Sequence, residues 1–312
     1  MEKISYITGE RIAMMSDLVF YTRHPRWKPI ESCYTKDILY FEDFIDNNNN
    51  KKLETKIQNK RIFCMIIELA DFFIEYIMPH IKEPFIFITH FSDYPASFVT
   101  KRQQLLLNPL LIQWWGQNMD LLLIEKKVRG IPIGLENSFS GRVLDFRIFD
   151  ECRQKEKQKD AAVYINFNPA TNPQKRLNIF RHLQQQQQQQ LHTQKPFQEY
   201  IQELSSHKYC ICPEGNGVDC HRLWECIYLD VVPIVEESVI MSQFKDDELP
   251  ILFLPNLEEF FLQTPPNIVQ QLLDELYIQQ NIDAKRSKMK DVVNLTPADL
   301  RFWIHLSSTL LE

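Results

Sequence analysis

The chain has 312 residues, of which 44% are hydrophobic, 12% aromatic and 24% charged, with a formal net charge of −6. That length and composition fit two lobes of roughly 150 residues, each with its own core. No lysine or arginine stripe runs along the chain, which excludes a duplex nucleic-acid binder held by phosphate contacts but leaves room for an anionic ligand in a local basic pocket.

The seven cysteines, Cys33, Cys64, Cys152, Cys210, Cys212, Cys220 and Cys226, are odd in number and irregular in spacing. They do not make the dense framework of a small secreted disulfide domain, and reduced thiols are the expectation. Met1 to Glu10 has no apolar run of signal-peptide length. The most apolar segment, Ile62 to Ile81, carries Glu68, Asp71 and Glu75, which argues against a membrane span. The expectation is a soluble cytoplasmic protein, or one of the Golgi or ER lumen if an anchor precedes the chain.

In chain order, Arg11 to Phe20 reads as a short helix running into a strand, and Asp46 to Asn50 as a polar loop. Ile57 to Met78 has apolar residues at helical spacing, with Pro79 at its end. Pro84 to His90 is short, apolar and β-favouring, so it predicts a buried parallel strand, followed by a polar turn at Phe91–Pro95. Gln103 to Gln117 predicts a helix; Leu121–Ile124 and Arg129–Gly134 predict two short strands. The charged run Glu151 to Asp160 predicts a linker, which sets the lobes at 1–155 and 156–312.

The second lobe opens with a strand at Ala161–Phe167 and a helix from about Pro173 to Leu183. Gln184 to Gln190, a polyglutamine run, is read as a tolerated surface expansion. Then come a helix at Phe197–Ser205, strands at Tyr209–Cys212, Val231–Val235 and Ile251–Leu254, helices at 256–263 and 267–279, and another after Pro297. Strand–helix–strand repeats in both halves predict an α/β protein with parallel sheets.

Two of only seven glycines, Gly215 and Gly217, sit in one loop between a strand and a helix. Glycine is used where the backbone takes positive φ or comes close to another group. The loop Glu214–Val218, with Gly215, Asn216 and Gly217 at its centre, runs into Asp219, a good N-cap for a helix from Cys220 to about Tyr228. Loop and first-turn amides suit phosphate oxygens. Arg222 adds a forked cation, and Glu225, three residues on, offers a carboxylate to two ribose hydroxyls. A plain surface ion pair between Arg222 and Glu225 is the competing reading, and Trp224 is read as a packing residue. Cys210, Cys212, Cys220, His221 and Cys226 also fall close together, but their spacing does not match the usual paired zinc ligands. No metal or other cofactor is expected.

Cys212 to Val235 resembles the C-terminal motif of exostosin-like glycosyltransferases: Pro-x-Gly-x-Gly, then Arg and Glu on a helix, then a strand with Pro-Ile. Phe87–Asp93, Trp115–Asn118, Ile131–Asn137 and Val163–Asn168, with Thr171 and Arg176, are similar to that family as well; the likeness spans about 85–260. The resemblance implies a GT-B fold, two Rossmann-like lobes facing a cleft. It implies inverting, metal-independent transfer of a sugar from a nucleotide-diphosphate donor, a UDP- or GDP-sugar, to a hydroxyl of a glycan or glycoprotein. Arg222 then contacts the diphosphate and Glu225 the ribose, while Gly215, Asn216 and Gly217 shape the phosphate loop. The general base comes from the other lobe, with His90 and Asp93 as candidates. Asp230 stands where the family has glycine, and aspartate tolerates positive φ better than most residues. A non-catalytic relative that binds nucleotide or acts as a scaffold is the alternative.

Overall fold

A computed structural model describes residues 6–23, 37–46, 61–122, 125–137, 145–154, 160–187, 195–246 and 248–291. The chain divides into two compact units, residues 7–141 and residues 1–6 with 142–312. Each is a Rossmann-like α/β unit built on a parallel sheet. No described helix is long and apolar enough to cross a membrane.

The first unit carries six strands, β1 (Leu18–Tyr21), β2 (Asp37–Tyr40), β3 (Arg61–Cys64), β4 (Phe85–Thr89), β5 (Leu111–Gly116) and β6 (Val128–Gly130). They pair in the order β2-β1-β3-β4-β5-β6, every pair parallel. All described residues of β1 and β4 are buried, as expected of strands covered on both faces. Phe20, Phe73, Phe87 and Trp114 fill the core.

Two helices expected from periodicity are partly strands. Arg61–Cys64, inside the predicted helix Ile57–Met78, is β3, paired between β1 and β4. Short apolar runs fit either period, and here sheet pairing wins. After β3 the chain enters a mixed helical run, with 3-10 turns at Ile67–Leu69 and Met78–His80 around an α turn at Ala70–Phe72 and a π turn at Phe73–Ile77. The helix predicted for Gln103–Gln117 covers only Arg102–Leu107. Pro109 pushes Asn108 to extended backbone, φ −65 and ψ 121, which ends the helix and frees Leu111–Gly116 to become β5. Leu121 and Leu122 are not in a strand, and 123–124 lie outside the described residues. In place of a strand at Arg129–Gly134, β6 is Val128–Gly130.

The second unit carries β7 (Asp160–Tyr164), β8 (His207–Ile211), β9 (Val232–Glu236) and β10 (Leu252–Leu254), in the order β10-β9-β8-β7 and all parallel. Tyr209 and Ile211 of β8 enter a core with Phe167, Ile179, Ile234 and Leu273. Cys210 and Cys212 alternate to the opposite face. The predicted linker is only partly described. Glu151–Gln154 close a helix, Arg147–Gln154, whose Ile148, Phe149 and Cys152 are buried. That helix belongs to the second unit, so the sequence boundary at 155/156 falls later than the division at 141/142. Gln184–Gln187 continue the helix Pro173–Gln187. Residues 188–190 and the helix expected after Pro297 lie outside the described residues.

Asp230 has φ +57. It follows the helix His221–Tyr228 and its C-cap Leu229. Asp230 N–H bonds the Ile227 carbonyl at 3.2 Å, and Val231 N–H bonds that of Cys226 at 2.9 Å. This is a Schellman ending, where glycine is usual. The Asp230 carboxylate pairs with Arg286 Nε at 3.0 Å, which helps hold a non-glycine residue there.

Candidate active site

The site is built on the carboxyl edge of the second sheet, where parallel strands hand over to loops. The turn after β7, the loop after β8 and the end of β9 meet there. Arg176, on the helix Pro173–Gln187 and 5% exposed, clasps the β8 loop from behind. Its Nε donates to the Glu214 carbonyl at 2.6 Å, Nη2 to that of Pro213 at 2.9 Å, and Nη1 to that of Asn168 at 3.1 Å. Asn172 Nδ2 donates to the Gly215 carbonyl at 2.9 Å.

Gly215 sits under a close approach: a Cβ there would lie 3.1 Å from Arg176 Nη2, so the clasping guanidinium would have to give by a few tenths of an ångström. Positive φ is not the reason, since Gly134 is the one positive-φ glycine among the described residues. Gly215 N–H bonds the Gly217 carbonyl at 2.9 Å. The amides of Asn216, Gly217 and Val218, and of Arg222 in the first helical turn, donate to no partner among the described residues. A cluster of free amides at a helix start attracts anions.

Arg222 makes no hydrogen bond or ion pair among the described residues, and its Nε is buried without a partner. Burial opposes its charge, but nearby Tyr200, Cys210, Cys212 and Cys220 more than offset this and hold its pKa well above the ordinary value. Arg176 has its pKa lowered, first by burial and then by the like charge of Arg222, while Cys220 and Cys212 act the other way. Two guanidinium groups thus lie close enough to feel each other, and neither has a carboxylate partner among the described residues.

Arg222 and Glu225 do not pair. Glu225 is 2% exposed and its Oε2 accepts from Tyr200 Oη at 2.5 Å. Its other oxygen has no partner among the described residues. Burial raises the Tyr200 pKa, and the Glu225 charge raises it further. Asp219 is not the N-cap expected from sequence. Cys220 takes that position without a side-chain bond, and the buried Asp219 carboxylate accepts from Trp224 Nε1 at 2.8 Å. Trp224 is fully buried against Phe244, a packing residue as expected. Glu214 is largely buried beside Lys175 at 3.8 Å, and Lys175 bonds Glu236 at 2.5 Å. Burial raises the Glu214 carboxyl above its ordinary value, with Lys175 opposing and Glu236 adding.

The structure places His90 and Asp93 in the first unit, after β4. His90 is 2% exposed, with Nε2 3.0 Å from the Pro132 carbonyl and its ring stacked on Phe63. A Cβ on Gly9 would lie 2.8 Å from its Nδ1. Asp93 is exposed, and its carboxylate makes no contact among the described residues. Its loop is held firmly. Asn118 Nδ2 donates to the Ser92 and Asp93 carbonyls at 3.3 Å, and Gln117 Oε1 accepts from Phe91 N–H at 3.1 Å, with Phe91 at φ +63.

Two site residues have no sequence signal of their own. Arg176 matches the family pattern without a role, because a lone arginine on a helix does not show which carbonyls it will meet. Tyr200 reads as one more apolar position of an amphipathic helix.

Residues 170–287 match the family described as RXYLT1 C-terminal domain. No curated protein was found to match the chain in sequence. One solved structure that it matches is an alpha-glucosyltransferase in complex with UDP-glucose and DNA containing an abasic site. The identity is 9%, the match covers 95% of this chain and 99% of that one, and the TM-score is 0.38.

Proposed function

We propose that this protein transfers a sugar from a nucleotide-diphosphate donor to a hydroxyl of a glycan or glycoprotein. The observation that carries this reading is Arg222, whose buried Nε has no partner among the described residues, at the start of a helix behind a loop with free amides. A buried guanidinium N–H without an acceptor costs free energy unless a ligand joins it. A diphosphate supplies that acceptor, and Arg222 with the amides of 216–218 takes its oxygens. The free oxygen of Glu225 accepts a ribose hydroxyl.

In the transfer, the acceptor oxygen bonds to the sugar's anomeric carbon as the bond to the phosphate oxygen breaks. Charge grows on the leaving diphosphate, where the two arginines are fixed before the reaction starts. The acceptor's proton needs a base. Asp93 is the base in this reading, because solvent reaches its carboxylate, whereas His90 is packed into the first unit. Asp219 and Glu214 shape the loop from within rather than touch the donor.

The burial of His90 favours keeping a second reading, a relative that binds nucleotide without turnover. Calorimetric titration with UDP and GDP, followed by hydrolysis assays on a panel of UDP- and GDP-sugars, separates the two. Binding with slow donor hydrolysis that Asp93→Asn abolishes supports the transferase. Binding without hydrolysis or transfer leaves the binding protein, and no nucleotide binding at all removes both.

A further inference from the structure

On the face of β8 that turns away from the tyrosine and isoleucine core, three thiols converge. The two-residue period of a strand puts Cys210 and Cys212 on one side, and the helix His221–Tyr228 presents Cys226 to them. Cys212 Sγ lies 3.9 Å from Cys210 Sγ and 4.0 Å from Cys226 Sγ, and all three sulfurs fall within 4.8 Å of one another. Their residues are 0%, 4% and 0% exposed.

We propose that Cys210, Cys212 and Cys226 form a structural site for one thiophilic d10 cation, zinc or copper(I), separate from the donor site. Metal–sulfur bonds of about 2.3 Å place tetrahedral or trigonal sulfur ligands roughly 3.8–4.0 Å apart, which is the spacing of Cys212 from both Cys210 and Cys226. Soft thiolates select these two ions over hard cations. Burial keeps the sulfurs from solvent oxidants and gives the cation a dry pocket. The sequence spacing looks wrong for zinc because the usual paired motif sits on one knuckle. Here a parallel strand and the helix that follows its loop bring the ligands together. A cation there would tie the start of the phosphate loop, at Cys212, to the helix bearing Arg222 and Glu225. Copper(I) is satisfied by three thiolates in a plane, whereas zinc takes a fourth ligand.

The test uses the full chain, expressed separately in zinc- and copper-supplemented media and desalted through EDTA. Elemental analysis should find about one equivalent of zinc or copper per chain, and the metal found distinguishes the two ions. Cys226→Ala should lower that content at least tenfold. Because that variant could misfold, wild-type protein stripped with a stronger chelator gives a second measurement. Its melting temperature should fall by several degrees and recover on adding back the same metal, and cobalt(II) should give a thiolate charge-transfer band. Wild-type protein that carries less than a tenth of an equivalent from both media and shows no cobalt–thiolate band overturns the site.

Discussion

Tyr200 Oη donates to Glu225 Oε2 at 2.5 Å, so the carboxylate that helix spacing sets three residues after Arg222 is held by a phenol and not by the arginine. This division of partners leaves the Arg222 cation available to an anion and one Glu225 oxygen available to a hydroxyl. An arginine paired with Glu225 would have neutralised both.

Replacing Tyr200 with phenylalanine removes the donor and leaves a buried carboxylate unsatisfied, at a cost of about 1–3 kcal/mol. Urea unfolding of Tyr200→Phe should show that loss with an unchanged m-value. Uridine affinity should fall as well, since Glu225 would lose its fixed orientation. A variant as stable as wild type would mean that Glu225 finds another partner.

The two arginines predict opposite splits between stability and binding. Arg222→Ala removes a cation that satisfies no protein acceptor. Its melting temperature should stay within a few degrees of wild type or rise, while UDP binding weakens at least tenfold, about 1.4 kcal/mol. Arg176→Ala strands the carbonyls of Pro213, Glu214 and Asn168, and should cost at least about 2 kcal/mol of stability. Calorimetry and thermal unfolding on both variants check the pattern. Equal UDP affinity in Arg222→Ala and wild type places the anion elsewhere.

Asp230 gives a cleaner backbone test. Left-handed backbone costs a non-glycine residue about 1 kcal/mol, and the half-exposed ion pair with Arg286 returns up to about 1 kcal/mol. Asp230→Gly should therefore be close to neutral, within about 0.5 kcal/mol. Asp230→Ala keeps the strain and loses the pair, so it should cost up to about 1 kcal/mol. If the two variants are equally stable by chemical unfolding, the positive φ of Asp230 contributes nothing.

The second unit is more legible in the sequence than the first. Three of its strands are short apolar runs with clear ends, Pro213 after β8, Glu236 closing β9 and Pro255 after β10, so pattern and burial agree there. In the first unit, Arg61–Cys64 fits both periods and merges into a helical pattern, and Pro109 outweighs the apolar spacing of Gln103–Gln117. Local pattern cannot show that β3 has two strands waiting on either side. At the site, the glycine loop is visible because glycine is scarce, and Arg222 and Glu225 stand out because their spacing puts them near one helix face. The Tyr200 phenol and the Arg176 clasp of the β8 loop are not visible, since they rest on contacts 25 and 38 positions apart; the cysteine cluster is visible, but not the closure of Cys226 on Cys212 14 positions away.

Glu214 predicts a pH dependence. Burial raises its carboxyl above the ordinary 4.5 in the folded state. Below the unfolded value the group is protonated in both states and costs nothing; as pH rises through the folded value, the buried charge must form and stability is lost. Glu214→Gln keeps the shape and removes that loss. Its contact with Lys175 is long and half-exposed, so little is given up in return. The variant should therefore melt higher than wild type at pH 7, with the gap closing as pH falls toward about 4. It should also bind UDP more tightly, because one negative charge is gone from beside the diphosphate. A gap that stays constant between pH 4 and pH 8 would show that the Glu214 carboxylate is not the source of the penalty.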